Sequence, residues 1–302
     1  MYDIVIIGAG PAGLTAATYS LRAGKTVLVI EKSGFGGQVA FSPKIENFPG
    51  IVSVSGSELA ERLVEQPLEL GAETVFGEVT GIHGTPGSFT VTTEDEEYAC
   101  KAIIIASGAK HRRLNVEGED TFAGNGVSYC AVCDGAFFAS QNVAIVGGGN
   151  SALQETVLLS DICESVTIIQ NLPFLTGEAR LQEILNERKN VRIITSVTVD
   201  RLFGGEALEG AVIRHAKTGE TETVSCTGLF VAIGLEPQNA AFADVVALDE
   251  QGYIIAGEDC RTSADGICAA GDCRTKSVRQ ITTAAADGAV ASVAVCRTID
   301  AL

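Results

Sequence analysis

Two cysteines with two residues between them, Cys130 and Cys133, are the part of this chain best suited to chemistry, and Asp134 follows them directly. That spacing lets two thiols close and reopen a disulfide, with the thiolate as the reactive species. The remaining seven of the nine cysteines (Cys100, Cys163, Cys226, Cys260, Cys268, Cys273 and Cys296) show no zinc-type spacing and read mostly as buried free thiols. His83 and His215 stand alone, so no metal site is expected. The chain opens MYDIVIIGAG with no basic leader or cleavage site, and carries no uninterrupted apolar run of about 18 residues. It is therefore read as cytoplasmic, where a close cysteine pair signals redox catalysis before structure.

The elements that must position this pair are announced by two glycine-rich turns. A β-branched run from Asp3 to Ile7 leads into Gly8-Ala9-Gly10-Pro11-Ala12-Gly13 and an alanine-rich helix through Ala23. A second apolar run, Thr26 to Ile30, ends in Glu31, about 20 positions after the glycine loop, which completes a strand–helix–strand unit. Gly8, Gly10 and Gly13 permit the tight turn, a close approach of backbone to a pyrophosphate, and close helix packing; Glu31 can accept from ribose hydroxyls. The same grammar returns at Asn142 to Val146, Gly147-Gly148-Gly149-Asn150-Ser151-Ala152, a helix to about Ser160, and a strand from Ser165 to Ile169.

Hairpins are expected at Ser88 to Thr93 with Tyr98 to Ile105, and at Ala211 to His215 with Glu222 to Ile233. Each half closes on a small-residue turn, at 106–108 and 232–234, and the later Gly271-Asp272 turn suggests that the last segment returns to the first domain. The predicted fold class is α/β: two Rossmann-like dinucleotide-binding domains of three-layer type, the second inserted into the first. A length of 302 residues suits two domains of about 150 each. The net charge of −17 argues against nucleic acid or an anionic membrane as partner.

Over nearly its whole length the chain resembles the low-molecular-weight flavin-dependent thioredoxin reductases. The matching pieces, in order, are GAGPAGLTAA, GFGGQ at 34–38, IENFPG at 45–50, ASGAKHRRL at 106–114, YCAVCDG at 129–135, VGGGNSA at 146–152 and AAGDCRTKSVRQITTAAADGA at 269–289. The resemblance implies an FAD-binding domain at 1–114 and 236–302, and an inserted NAD(P)H-binding-like domain at 115–235 that carries the cysteine pair. It implies FAD contacts from Gly8, Gly10, Ala12, Glu31, Gly37, Gln38, Asn47, Asp272, Arg279, Gln280 and Ile281. Asp272 would hold the ribityl chain, and the helix from Ile281 would aim at the isoalloxazine. In the family the second cysteine, here Cys133, exchanges electrons with the flavin; the first, here Cys130, attacks the thioredoxin disulfide, and Asp134 handles the proton. A homodimer is also implied.

One stretch departs from that family. A reductase using NADPH needs cations after the strand that follows its second glycine loop, to meet the 2′-phosphate. Here the run is Ile169-Gln170-Asn171-Leu172-Pro173-Phe174-Leu175-Thr176-Gly177, with neither a cation nor the acid that NADH would favour. His111-Arg112-Arg113 resembles the phosphate-binding triplet but precedes the second domain, and reads as a solvated linker turn. The departure resembles the ferredoxin-dependent, pyridine-nucleotide-independent branch, with reduced ferredoxin as donor and Arg180, Arg188, Lys189 and Arg192 as candidate docking cations. The alternatives are an NADH- or NADPH-dependent thioredoxin reductase with an unusual nucleotide site, a flavoprotein holding a second flavin, and a flavin-binding redox sensor without useful turnover.

Overall fold

Short, continuous apolar runs such as Ile4–Ile7 and Val27–Ile30 are buried along their whole length, as strands of a parallel sheet covered on both faces must be. The computed structural model describes residues 1–42 and 44–302. The chain begins β1 (Tyr2–Ile7), α1 (Pro11–Arg22), β2 (Val27–Glu31), α2 (Gly56–Glu69), β3 (Glu73–Phe76), β4 (Val79–Thr85), β5 (Ser88–Thr93), β6 (Glu97–Ile105) and β7 (Ala109–His111). Next come α3 (Glu119–Phe122), β8 (Val127–Ser128), α4 (Ala131–Asp134), β9 (Asn142–Val146), α5 (Asn150–Ile162), β10 (Ser165–Ile169), α6 (Ala179–Asn186) and β11 (Val191–Ile194). β12 (Val197–Gly204), β13 (Leu208–His215), β14 (Thr221–Ser225), β15 (Gly228–Val231), β16 (Leu235–Pro237), β17 (Ile267–Ala269) and α7 (Ile281–Asp300) complete it. These fall into two compact units, residues 1–110 with 236–302, and residues 111–235. Among the described residues no helix is long and apolar enough to cross a membrane.

In the first unit the sheet order is β3-β2-β1-β6-β5-β4, with β17 also pairing β6. Successive side chains of β1 serve opposite faces: Ile4 and Ile6 pack with α1 and α7, while Val5 and Ile7 pack with Phe89, Val91, Phe242 and Ile254. Helices α1 and α7 cross closely, and Gly288 makes the crossing possible. A methyl group there would lie 2.2 Å from the Ala12 carbonyl oxygen. Gly288→Ala should therefore destabilise the protein by about 2 kcal/mol in urea unfolding, because the overpacking outweighs the gain of about 1 kcal/mol in helix propensity. A variant as stable as the parent would contradict this contact.

The second unit repeats the plan with an all-parallel sheet, β11-β10-β9-β15-β8, beside an antiparallel β12-β13-β14. Val143 and Ile145 face α5, and Ala144 and Val146 face the antiparallel layer. Two sheets divide what the sequence reads as one strand from Glu222 to Ile233. The backbone changes partner at Cys226, which donates to Glu209, and Thr227, which donates to Asn142, so β14 ends and β15 joins the parallel sheet. Strands β4 and β12 escape the sequence reading because neither alternates cleanly: β4 carries two glycines, and β12 is interrupted by a register shift between Val199 and Arg201.

Residues 111–114 group with the second unit, not the first. The cause is Glu119, 1% exposed, whose carboxylate accepts from the backbone of Leu114 and Asn115 and from the Tyr129 hydroxyl. Nor is the His111-Arg112-Arg113 stretch simply a solvated turn. His111 lies 5.5 Å from the Tyr129 ring, and burial lowers its pKa; Arg113 pairs with Asp120 at 2.6 Å.

Candidate active site

Cys130 and Cys133 form a closed disulfide around the single turn of α4, and both are partly exposed. The backbone N–H of Cys133 points at the Cys130 Sγ, 3.2 Å away, which places a donor where a thiolate would develop. The other seven cysteines are all buried. Ser128 ties the turn to Asp134: its hydroxyl accepts from the Cys130 N–H at 3.1 Å and donates to Asp134 Oδ2 at 2.6 Å. Asp134 Oδ1 is buried with no partner among the described residues. Burial raises the Asp134 pKa, and the Ser128 bond only partly offsets it. A carboxyl so placed can hold a proton within the same turn as both sulfurs. The sequence marks Asp134 by adjacency, whereas nothing in it marks Ser128.

The first glycine loop lies between β1 and α1. Gly8 has φ of 103°, and a side chain there would strike the Ala106 carbonyl oxygen at 2.3 Å; one at Gly13 would lie 1.9 Å from the Gly8 oxygen. Gly10, by contrast, fronts open space and heads α1 with no side-chain cap. Free helix-terminal amides facing open space suit a pyrophosphate. Glu31 closes β2 with its carboxylate accepting from the Ala9 and Ser33 backbones at 2.8 and 2.9 Å. Gly37 and Gln38 open a 3-10 turn, Gly37–Phe41, that approaches so closely that a side chain at Gly37 would lie 3.2 Å from the Gly10 Cα.

At the other end of the sequence, Gly271 abuts Ala12, and Asp272 follows in the short turn Gly271–Cys273. Arg279 stacks on the Tyr253 ring at 4.2 Å, Gln280 caps α7 and accepts from Asn47 at 3.1 Å, and Ile281 begins that helix. Asp287 is not apparent from the sequence. Its carboxylate accepts from the Gly271 backbone, from Arg274 at 2.9 and 2.7 Å, and from Lys276 at 2.9 Å, and so fixes the turn that carries Asp272. An acid interrupting the alanines of α7 is the only trace of it in the sequence. Asp272 Oδ1 is buried without a partner among the described residues, and burial raises the Asp272 pKa. A ligand hydroxyl would satisfy that oxygen, so these residues fit a flavin nucleotide with a polyol chain.

The second glycine loop has the same backbone device. Gly147 has φ of 134°, and its Cβ would meet the Ala232 carbonyl oxygen at 2.4 Å. Its surroundings differ. Gln170, which occupies the strand-end place that Glu31 has in the first unit, is 5% exposed and folds inward. Its Nε2 donates to the Phe174 carbonyl and lies where a Gly148 side chain would be, at 2.5 Å. Thr176 and Gly177 donate their N–H groups to the Gly148 carbonyl at 2.8 and 2.9 Å, drawing the segment onto the loop. Beyond it Glu178 receives the Asn150 amide at 3.1 Å, which puts a carboxylate at the start of α5. Of the four cations read as a docking cluster, Arg188 pairs with Asp161 and Arg192 with Glu222.

Comparison with known proteins agrees with this architecture. A thioredoxin reductase of Listeria monocytogenes is 40% identical over 292 residues, 96% of this chain and 92% of its own length. One from Treponema pallidum is 38% identical over 302 residues, covering 100% of this chain and 98% of the relative. The solved thioredoxin reductase of Streptococcus pyogenes, 39% identical, superposes with a TM-score of 0.95 over 100% of this chain and 99% of its own. A family model described as pyridine nucleotide-disulphide oxidoreductase matches residues 2–288. A match of that extent, on a chain with two nucleotide folds and a cysteine pair closed as a disulfide, makes this protein a member of the pyridine nucleotide-disulphide oxidoreductase family.

Proposed function

We propose that this chain is a cytoplasmic, homodimeric thioredoxin reductase that binds FAD and takes its electrons from reduced ferredoxin. Reduction of thioredoxin is supported by the partly exposed disulfide with its proton-holding neighbour, and by relatives of that name that this chain matches over more than nine-tenths of their length. FAD would rest on Gly8, Gly10, Ala12, Glu31, Gly37 and Gln38 at one end and on Asn47, Asp272, Arg279, Gln280 and Ile281 at the other. When bound it supplies one-electron entry and two-electron exit, the conversion that a ferredoxin donor and a disulfide acceptor require. In exchange with thioredoxin, Cys130 attacks the substrate disulfide, Cys133 resolves the mixed disulfide, and Asp134 moves the proton.

The choice of donor rests on the segment 170–178. Gln170 occupies the strand end where a nicotinamide nucleotide needs its ribose or phosphate partner, and its amide is spent on Phe174 and Asn171. Each missing cation–phosphate contact costs about 1.5–3 kcal/mol, so losing two weakens NADPH by roughly 100-fold or more. Glu178 adds a carboxylate where an anion would approach. The second reading, a nicotinamide-dependent reductase, is favoured by the family's description. Steady-state assays separate the two: thioredoxin thiols should appear with reduced ferredoxin and at less than about one hundredth of that rate with NADPH or NADH. Equal or faster thiol formation with either nucleotide would replace the ferredoxin reading with the second.

A further inference from the structure

The cysteine turn has a second carboxyl behind it, on the helix that packs against α4. Helix α5 packs on α4 through Ala152 and Leu159, which join Ala131 in one apolar cluster, and Leu159 also lies against Gly135. Glu155 lies between them on that face. It is partly buried, and the backbone of Ala131, the residue next to Cys130, partly offsets the effect of that burial on its carboxyl. A carboxyl of α5 thus lies behind the turn that carries Cys130, Cys133 and Asp134. No charged group of α6, the other helix on α5, interacts with Glu155; Arg180, Glu183 and the flanking Glu187 leave it to burial and to Ala131 alone.

Resting on the reading of Cys130 and Cys133 as a working disulfide, we propose that Glu155 takes up a proton when the disulfide opens and releases it when the disulfide re-forms. Opening breaks the S–S bond with two electrons, from reduced flavin in turnover or from an added dithiol that becomes a disulfide. Two protons enter: one makes a thiol, the other neutralises Glu155, and one sulfur remains a thiolate. When thioredoxin is reduced, both electrons and both protons leave with its dithiol, and Glu155 returns to the carboxylate. The physical cause is like-charge repulsion across one turn, where a thiolate and a carboxylate cannot both be comfortable. Burial already pushes the Glu155 carboxyl up to about 7 with the disulfide closed, so a nearby thiolate acts on a group that responds near neutral pH. Because it acts through the charge on the sulfur, Glu155 is a positioning residue for the thiolate.

The test uses the flavin-loaded protein and dithiothreitol, without ferredoxin or thioredoxin. The reduced-minus-oxidised infrared difference spectrum at about pH 7.5 should gain a protonated-carboxyl band, which Glu155→Gln removes and Asp134→Asn retains. Alkylation of the reduced pair by iodoacetamide should show its inflection lowered by about one pH unit in Glu155→Gln, with Glu155→Asp closer to the parent. A parent spectrum with no such band overturns the proposal even without a folded variant, as does an unchanged alkylation profile in a folded Glu155→Gln. If that failure occurs in protein that still reduces thioredoxin, the reading of function survives it. A band and a shifted profile in protein that reduces no thioredoxin with any donor would support the role of Glu155 and sink the functional reading instead.

Discussion

Cys133→Ser should abolish thioredoxin reduction altogether and turn Cys130 into a trap that holds thioredoxin as a stable mixed disulfide. The two sulfurs share one turn, but their tasks differ. If Cys130 attacks the substrate, a mixed disulfide forms and only Cys133 stands close enough to resolve it. With serine at 133 the covalent complex persists, and mass spectrometry under non-reducing conditions should find enzyme and thioredoxin joined. Cys130→Ser should be equally inactive but a poor trap, because the remaining sulfur is the one assigned to the flavin. None of the other seven cysteines can substitute. All are buried, and burial pushes the thiols of Cys100, Cys226, Cys260 and Cys268 up to about 12, far from the thiolate form. Thioredoxin reduction surviving in both variants would contradict the assignment of the pair.

Asp272→Ala should lose most of the bound flavin while leaving the empty protein more stable than the empty parent. In the parent, Asp272 Oδ1 is buried without a partner, and burial raises the pKa of its carboxyl. An unsatisfied buried polar group costs about 1–3 kcal/mol, which alanine removes from the flavin-free form. Once flavin is bound the sign reverses, because a charge-assisted hydrogen bond to the polyol chain is lost, and affinity should fall by roughly 10- to 100-fold. Flavin content after purification and urea unfolding of flavin-free protein read the two halves separately. Full flavin retention would remove Asp272 from the cofactor site, and a flavin-free variant less stable than the parent would mean that the orphan oxygen costs nothing. The turn itself should stay in place, because Asp287, not Asp272, receives Gly271, Arg274 and Lys276.

The fold was legible where backbone sterics leave few choices. Gly8 and Gly147 each sit within reach of a carbonyl oxygen, at Ala106 and Ala232, where any side chain would collide, so the glycine turns, taken with the strands and helices that flank them, announce two nucleotide folds. The cysteine pair was legible because its chemistry depends on local spacing. Less could be read where partners are distant in sequence or where one apolar run serves two sheets. Ser128 meets Asp134, and Asp287 meets Gly271, through folding that no local pattern encodes. The run from Glu222 to Ile233 looked continuous because its apolar character survives the change of partner at Cys226 and Thr227. The missing cations after β10 were visible in sequence, whereas the inward fold of Gln170 against Gly148 was not.

The measurement that bears most directly on the account is anaerobic stopped-flow mixing of the oxidised, flavin-loaded protein with one donor at a time. Reduced ferredoxin should bleach the flavin absorbance at a rate matching turnover, and NADPH or NADH at micromolar concentration should leave it nearly unchanged. Bleaching by either nucleotide as fast as turnover, with ferredoxin inert, would contradict the reading of the segment from Gln170 to Glu178 and restore a nicotinamide-dependent reductase.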